Sequence, residues 1–116
     1  MNVQEATLKF YQCNQKPWQS NDEYASELKT VWREMRAILK EVDPGYPNME
    51  ATLGKHHEIV PRFIDGLLDP EHKRQALDWY NQAERKSGRH PRFSHAVIMA
   101  CQVELIQAMV NHFNGP

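Results

Sequence analysis

The feature that most constrains this chain is a capped helix start with a long apolar stripe behind it. Ser20 and Glu23 stand at the spacing of a capping box: the serine hydroxyl can accept from first-turn backbone, and the glutamate can reach back to the Ser20 N–H. Asp22 and Glu23 place negative charge where the helix dipole favours it. Tyr24, Leu28, Val31, Trp32, Met35, Ile38, Leu39 and Val42 follow at helical rather than strand spacing. The pattern predicts a Gln-rich extended segment over residues 12–19 feeding a helix of about five turns.

Other helices are expected on both sides of it. Val3, Ala6, Thr7, Phe10 and Tyr11 give a short leading helical face. Pro44 disfavours helix in the residue before it, so the long helix should stop near Val42, and residues 44–48 read as a turn-rich loop. A further helix is expected from somewhere in 49–55 to Asp65. On it Ile59, Val60, Phe63, Ile64 and Leu67 form one face, and Lys55, Glu58, Arg62 and Asp65 lie largely opposite. Pro61 either kinks that helix or starts a shorter one, and Gly66 can end it in a left-handed conformation. Asp69-Pro70-Glu71 is a cap, an N1 proline and an acidic first turn for the next helix, whose apolar side is Ala76, Leu77, Trp79, Tyr80 and Ala83 and which ends at Gly88. The last helix is expected from Ser94 to about 111–113, with Phe93 stapled to Val97 or Ile98. Nothing alternates at strand period.

On that last helix Glu104, Gln107 and Asn111 form a polar strip between two apolar faces, Met99, Val103, Ile106 and Val110 on one side and Ile98, Cys101, Leu105 and Met109 on the other. A surface helix needs one apolar face. Two imply either a central core helix or burial against another subunit or domain.

Composition narrows the function classes. The chain has 116 residues, enough for a single domain with a real core, and 14 basic residues against 15 acidic ones, so the whole chain is no electrostatic magnet for nucleic acid. No run approaches the roughly 18 apolar residues of a membrane span, and the polar start Met-Asn-Val-Gln-Glu lacks a signal peptide's core. Cys13 and Cys101 are too few for a disulfide framework and read as inert buried thiols in a reducing, intracellular setting. His57-Glu58 is followed by Ile-Val-Pro, so the second histidine of a zincin is missing, and the six histidines read as surface or structural. Neither a phosphate-cradling glycine motif nor a nucleophile elbow occurs. Trp18, Trp32 and Trp79 suit core or interface positions. Arg85, Lys86, Arg89, His90 and Arg92 make a basic, turn-prone connection without interleaved aromatics. No catalytic constellation, cofactor or metal is expected.

Two stretches carry a family resemblance. Gln15 followed by Tyr24-Ala-Ser-Glu-Leu28 resembles the major homology region of retroviral and Ty3/Gypsy-type Gag capsid proteins. Arg62-Phe63-Ile64-Asp65-Gly66-Leu67-Leu68-Asp69-Pro70 resembles the F-x-x-GL-x-x-P segment of retrotransposon Gag proteins, and a helix like the one from Phe93 to Glu104 also recurs there. The resemblance covers about residues 12 to 110. It departs at Lys16, where glycine commonly follows the glutamine, and at Gln19, where an acidic residue is expected; a zinc knuckle is missing. A domesticated Gag-derived protein of the Arc type would look much the same.

The resemblance implies an all-α compact bundle of four to five helices, like a capsid C-terminal domain, with residues 1–14 as leading helix or linker and 15–113 as core helices. It implies a cytoplasmic, non-enzymatic self-association domain that assembles with itself and with other Gag domains into capsid-like particles. RNA would be met only indirectly or through a region outside the chain, with no membrane involved. Gln15, Gln19, Ser20, Glu23, Tyr24 and Leu28 would form the homology-region turn and helix. Glu58, Ile59 and Arg62 would make a two-fold contact, unless Ile59 packs inward with Phe63. Met99, Val103, Ile106 and Val110 offer a second face. The other reading is a helical adaptor that binds a peptide, or RNA through the basic connection.

Overall fold

Tyr24 is the hinge on which the helices meet. Its side chain is fully buried, its ring stacks on Phe63 with centroids 5.2 Å apart, and its hydroxyl donates to the carbonyls of Phe63 at 3.0 Å and Arg62 at 3.3 Å. The computed structural model describes residues 2–42, 56–89 and 91–114, without the side chains of Val42, His56, His57, Glu58 and Asn114. Within these residues the chain is all-α, with five helices and no strand: α1 Val3–Tyr11, α2 Asn21–Val42, α3 His56–Asp65, α4 Pro70–Ser87 and α5 Phe93–Asn114.

The apolar stripe of α2 is the floor of the core. Tyr24, Leu28, Val31, Trp32 and Met35 are buried on it, with Ile38 and Leu39 packed at its edge. The same core takes in Ala6 and Phe10 of α1, Ile59, Val60, Phe63 and Ile64 of α3, Ala76 of α4, and Ala96 and Ala100 of α5. The two alanines let the α5 backbone come close to its neighbours, where a longer side chain would hold it off. Phe93 meets the Phe63 ring edge-on at 5.6 Å. The molecule measures 57 × 34 × 16 Å, so along its thin axis it is about two helix layers deep at the usual 8–10 Å between axes. A slab this thin leaves much helix surface uncovered.

Several helix ends match the sequence expectations. The Ser20–Glu23 capping box closes in both directions at 3.1 Å. Asp69 caps α4 by accepting from the Glu71 N–H at 2.8 Å, and Gly88 ends it in the left-handed region at φ 66°. Other details differ. The leading segment is part of the bundle, because Ala6 and Phe10 are buried in the shared core. Pro61 lies inside α3, five residues beyond its first, so the alternative that Pro61 starts a shorter helix is excluded. Phe93 is the first residue of α5 and not the residue before a Ser94 cap, and its ring meets that of Phe63 edge-on. The side chain of Val42, the loop at 44–48 and the helix start at 49–55 lie outside the described residues.

Gly66 differs in its reason rather than its place. Among the described residues Gly88 alone has positive φ, so Gly66 does not end α3 by a left-handed turn. It is needed for space: a Cβ there would sit 2.0 Å from the Tyr24 hydroxyl oxygen. Gly66→Ala is therefore expected to lower stability by about 1–3 kcal/mol in urea denaturation, as overpacking does. In the double variant with Tyr24→Phe the two costs should fall short of their sum, because removing the hydroxyl removes the nearest clash.

Candidate functional site

The homology-region-like turn is built by two buried amides. Pro17 and Trp18 occupy the middle of a β-turn closed by the Gln19 N–H donating to the Lys16 carbonyl at 3.0 Å. The Gln15 side chain, 8 % exposed, lies beneath that turn. Its Nε2 donates to the Gln19 carbonyl at 3.0 Å and to Asn21 Oδ1 at 2.9 Å, and its Oε1 accepts from the Leu68 N–H at 2.9 Å. The Gln15 N–H itself donates to the Gly66 carbonyl at 2.8 Å. One residue thus ties the start of α2 to the segment between α3 and α4.

Asn21, with no exposed surface, extends the network to α4 and α5. Its Nδ2 donates to the Ala100 carbonyl at 2.9 Å and lies 3.3 Å from His72 Nδ1. Nδ2 can only donate, so His72 Nδ1 is the acceptor in that contact, while the buried His72 Nε2 lies 3.7 Å from Asp69 Oδ2 and has no hydrogen-bond partner among the described residues. The Asn21 N–H, free at the start of α2, donates to the Glu104 carboxylate at 3.1 and 3.3 Å. Nothing in periodicity announces this: Glu104 reads as an ordinary exposed strip residue, and His72 as a surface histidine.

The departures at Lys16 and Gln19 are accommodated in the turn. Gln19 Oε1 accepts from the Lys16 N–H at 2.9 Å, which a carboxylate could also do, while its Nε2 donates to Glu27, which a carboxylate could not. The Lys16 ammonium pairs with Glu27 Oε1 at 2.6 Å and is the main reason the Glu27 carboxyl is held below its ordinary range. Burial, with the Glu27 charge nearby, pushes the Cys13 thiol up, and burial likewise raises that of half-buried Cys101.

Of the candidate two-fold contact, Ile59 follows the alternative reading and packs inward. Ile59 is 1 % exposed and faces the core beside Phe63, so it presents nothing to another copy. Arg62 is engaged with Asn14 and, at 3.3 Å, with Asp65. The Glu58 side chain lies outside the described residues. The second face divides: Met99 and Val103 pack inward, while Ile106 and Val110 are exposed.

The central-core reading of α5 holds for its first half, where Ala96, Ala100 and Val103 are buried, and fails beyond it. From Ile98 to Phe113 it exposes Ile98, Leu105, Ile106, Met109, Val110 and Phe113, the last 78 % exposed. Glu104, from the polar strip, is turned to the body, and Gln107 is half-buried. Phe93–Phe113 is long and apolar enough, by length and mean hydropathy of 1.4, to cross a membrane. The average tolerates Gln102, Glu104 and Gln107, which a search for unbroken apolar runs does not. Trp18 is also exposed, so of the core or interface roles expected of the tryptophans it does not take the core one. Arg85, Lys86, Arg89 and Arg92 are exposed at the end of α4 and in the following connection; His90 lies outside the described residues. Among the described residues no group of three or more His, Cys, Asp or Glu could hold a metal.

None of the family models, curated proteins and solved structures compared with this chain matches it.

Two measurements test the turn. Gln15→Ala leaves the Leu68 N–H and an amide of Asn21 short of partners and is expected to cost about 1–3 kcal/mol in urea denaturation. For Glu27, a depressed folded pKa means its contribution is present at neutral pH and is lost as the pH falls below the ordinary value of 4.5. Glu27→Gln should flatten that part of the acid limb of the stability profile, while leaving the profile near neutrality parallel to that of the wild type.

Proposed function

We propose that this chain is a non-enzymatic structural module that self-associates, as the Gag capsid-like resemblance at Gln15, residues 24–28 and residues 62–70 implies. The observation that carries the reading is the outer surface of α5, where Leu105, Ile106, Met109, Val110 and Phe113 are exposed within nine residues. Between residues 105 and 114 there is no Asp, Glu, Lys or Arg. Charge depletion around clustered large apolar side chains characterises the centre of protein–protein interfaces more than free surface.

The polar side chains that could suggest chemistry are occupied elsewhere. Gln15, Asn21, Asp69 and Glu104 hold helix ends and the turn together. The partner in this reading is a second copy of the chain, within cytoplasmic capsid-like particles that include other Gag domains. RNA would be handled outside this chain.

Sedimentation velocity across a concentration series tests the proposal. The wild type is expected to shift reversibly to larger species as concentration rises. Leu105→Glu with Ile106→Glu puts two charges on exposed positions, so helicity should be kept while association weakens roughly tenfold or more. A wild type that stays monomeric at every concentration sinks the proposal.

A further inference from the structure

We propose that the association is head-to-tail: the apolar half of α5 in one copy seats in a groove bounded by α1, α3 and α4 of the next. This rests on the self-association reading and names the receiving surface that reading leaves open. The groove has a volume of about 590 Å³, within the ~300–1,000 Å³ range in which clefts enclose a sizeable ligand. Its walls are mostly apolar: Tyr11 at the end of α1, Pro61 and Ile64 on α3, and Leu77 and Tyr80 on α4. Lys73, Leu77 and Tyr80 recur at helical spacing, so α4 turns one face to the groove.

Ridge and groove are separate surfaces of one molecule. No residue of α5 lines the groove, so among the described residues α5 does not fill it within one copy. Both carry large apolar side chains to water: Phe113, Leu105 and Ile106 on the ridge, Tyr11 and Leu77 on the groove.

Charge sets the direction of docking. At the groove Arg62 and Asp65 pair with each other, whereas Lys73 has no ion-pair partner among the described residues. A helix presents unpaired carbonyls and roughly half a negative charge at its C-terminal end. The last turn of α5, with Phe113 in it, therefore brings an apolar side chain and the negative end of the helix dipole together, matching the apolar walls and the ammonium of Lys73. A two-fold pairing of α5 with α5 would bury the ridge but leave the groove and Lys73 unused. Two different patches in contact do not close on themselves as a dimer; they continue into a ring or an open array. That is the behaviour required of a shell-building module.

Two blocked variants decide between these arrangements. Leu77→Arg obstructs the groove, and Met109→Asp with Phe113→Asp spoils the ridge; all three side chains are exposed, so circular dichroism should match the wild type. The expected result is wild-type assembly beyond a dimer, association at least tenfold weaker for each variant alone, and a 1:1 pair that grows no further in an equimolar mixture. Wild-type growth that stops at a dimer overturns the proposal. So does assembly of Leu77→Arg alone at wild-type strength, or a mixture that stays monomeric while the wild type assembles. A wild type that is monomeric throughout overturns the self-association reading itself.

Discussion

The arrangement of helices depends on two buried amides, Gln15 and Asn21, that hydrogen-bond each other and exhaust their remaining capacity on backbone or His72. Both amides find partners for their donors inside the protein, and those partners come from four places in the chain. The turn before α2, the segment at Leu68, His72 of α4 and the Ala100 carbonyl of α5 converge on it. Apolar packing alone would tolerate small slides between helices. Directional bonds to fixed backbone groups do not, so this network sets how α2, α4 and α5 are placed relative to one another.

The same placement explains why α5 is exposed. Glu104 is drawn to the free N–H at the start of α2, and Ala96, Ala100 and Val103 follow it inward. With that strip facing the body of a slab only 16 Å deep, the flanking apolar residues have nowhere to go but outward. The usual pattern of a surface helix is thereby turned over in its second half, with the carboxylate toward the protein and the isoleucine, leucine, methionine and phenylalanine side chains toward water. In the proposed self-association, this surplus apolar surface is what a second copy would cover, and the groove by Lys73 is where it would be received.

Local chemistry was readable residue by residue. The capping box at Ser20 and Glu23, the Asp69–Pro70 start and the Gly88 stop depend on groups within four residues of each other, and the α2 stripe depends only on helical period. Gly66 was noticed for the wrong cause, since a requirement for empty space beside Tyr24 leaves no trace in its neighbours along the chain. Ile59 was open between a two-fold contact and the core, and only the position of Phe63 against Tyr24 decides the matter.

The sequence by itself determined the all-α class, most helix limits and the capped start of α2, because periodicity and capping act over one or two turns. Only the tertiary structure decided that Gln15 and Asn21 are the joint of the bundle, that Ile59 is core and that the far half of α5 is surface. Those outcomes turn on partners 39 to 83 residues away, such as Phe63 for Tyr24, Leu68 for Gln15 and Glu104 for Asn21. A helical face records which side is apolar. It does not record which side another helix will cover.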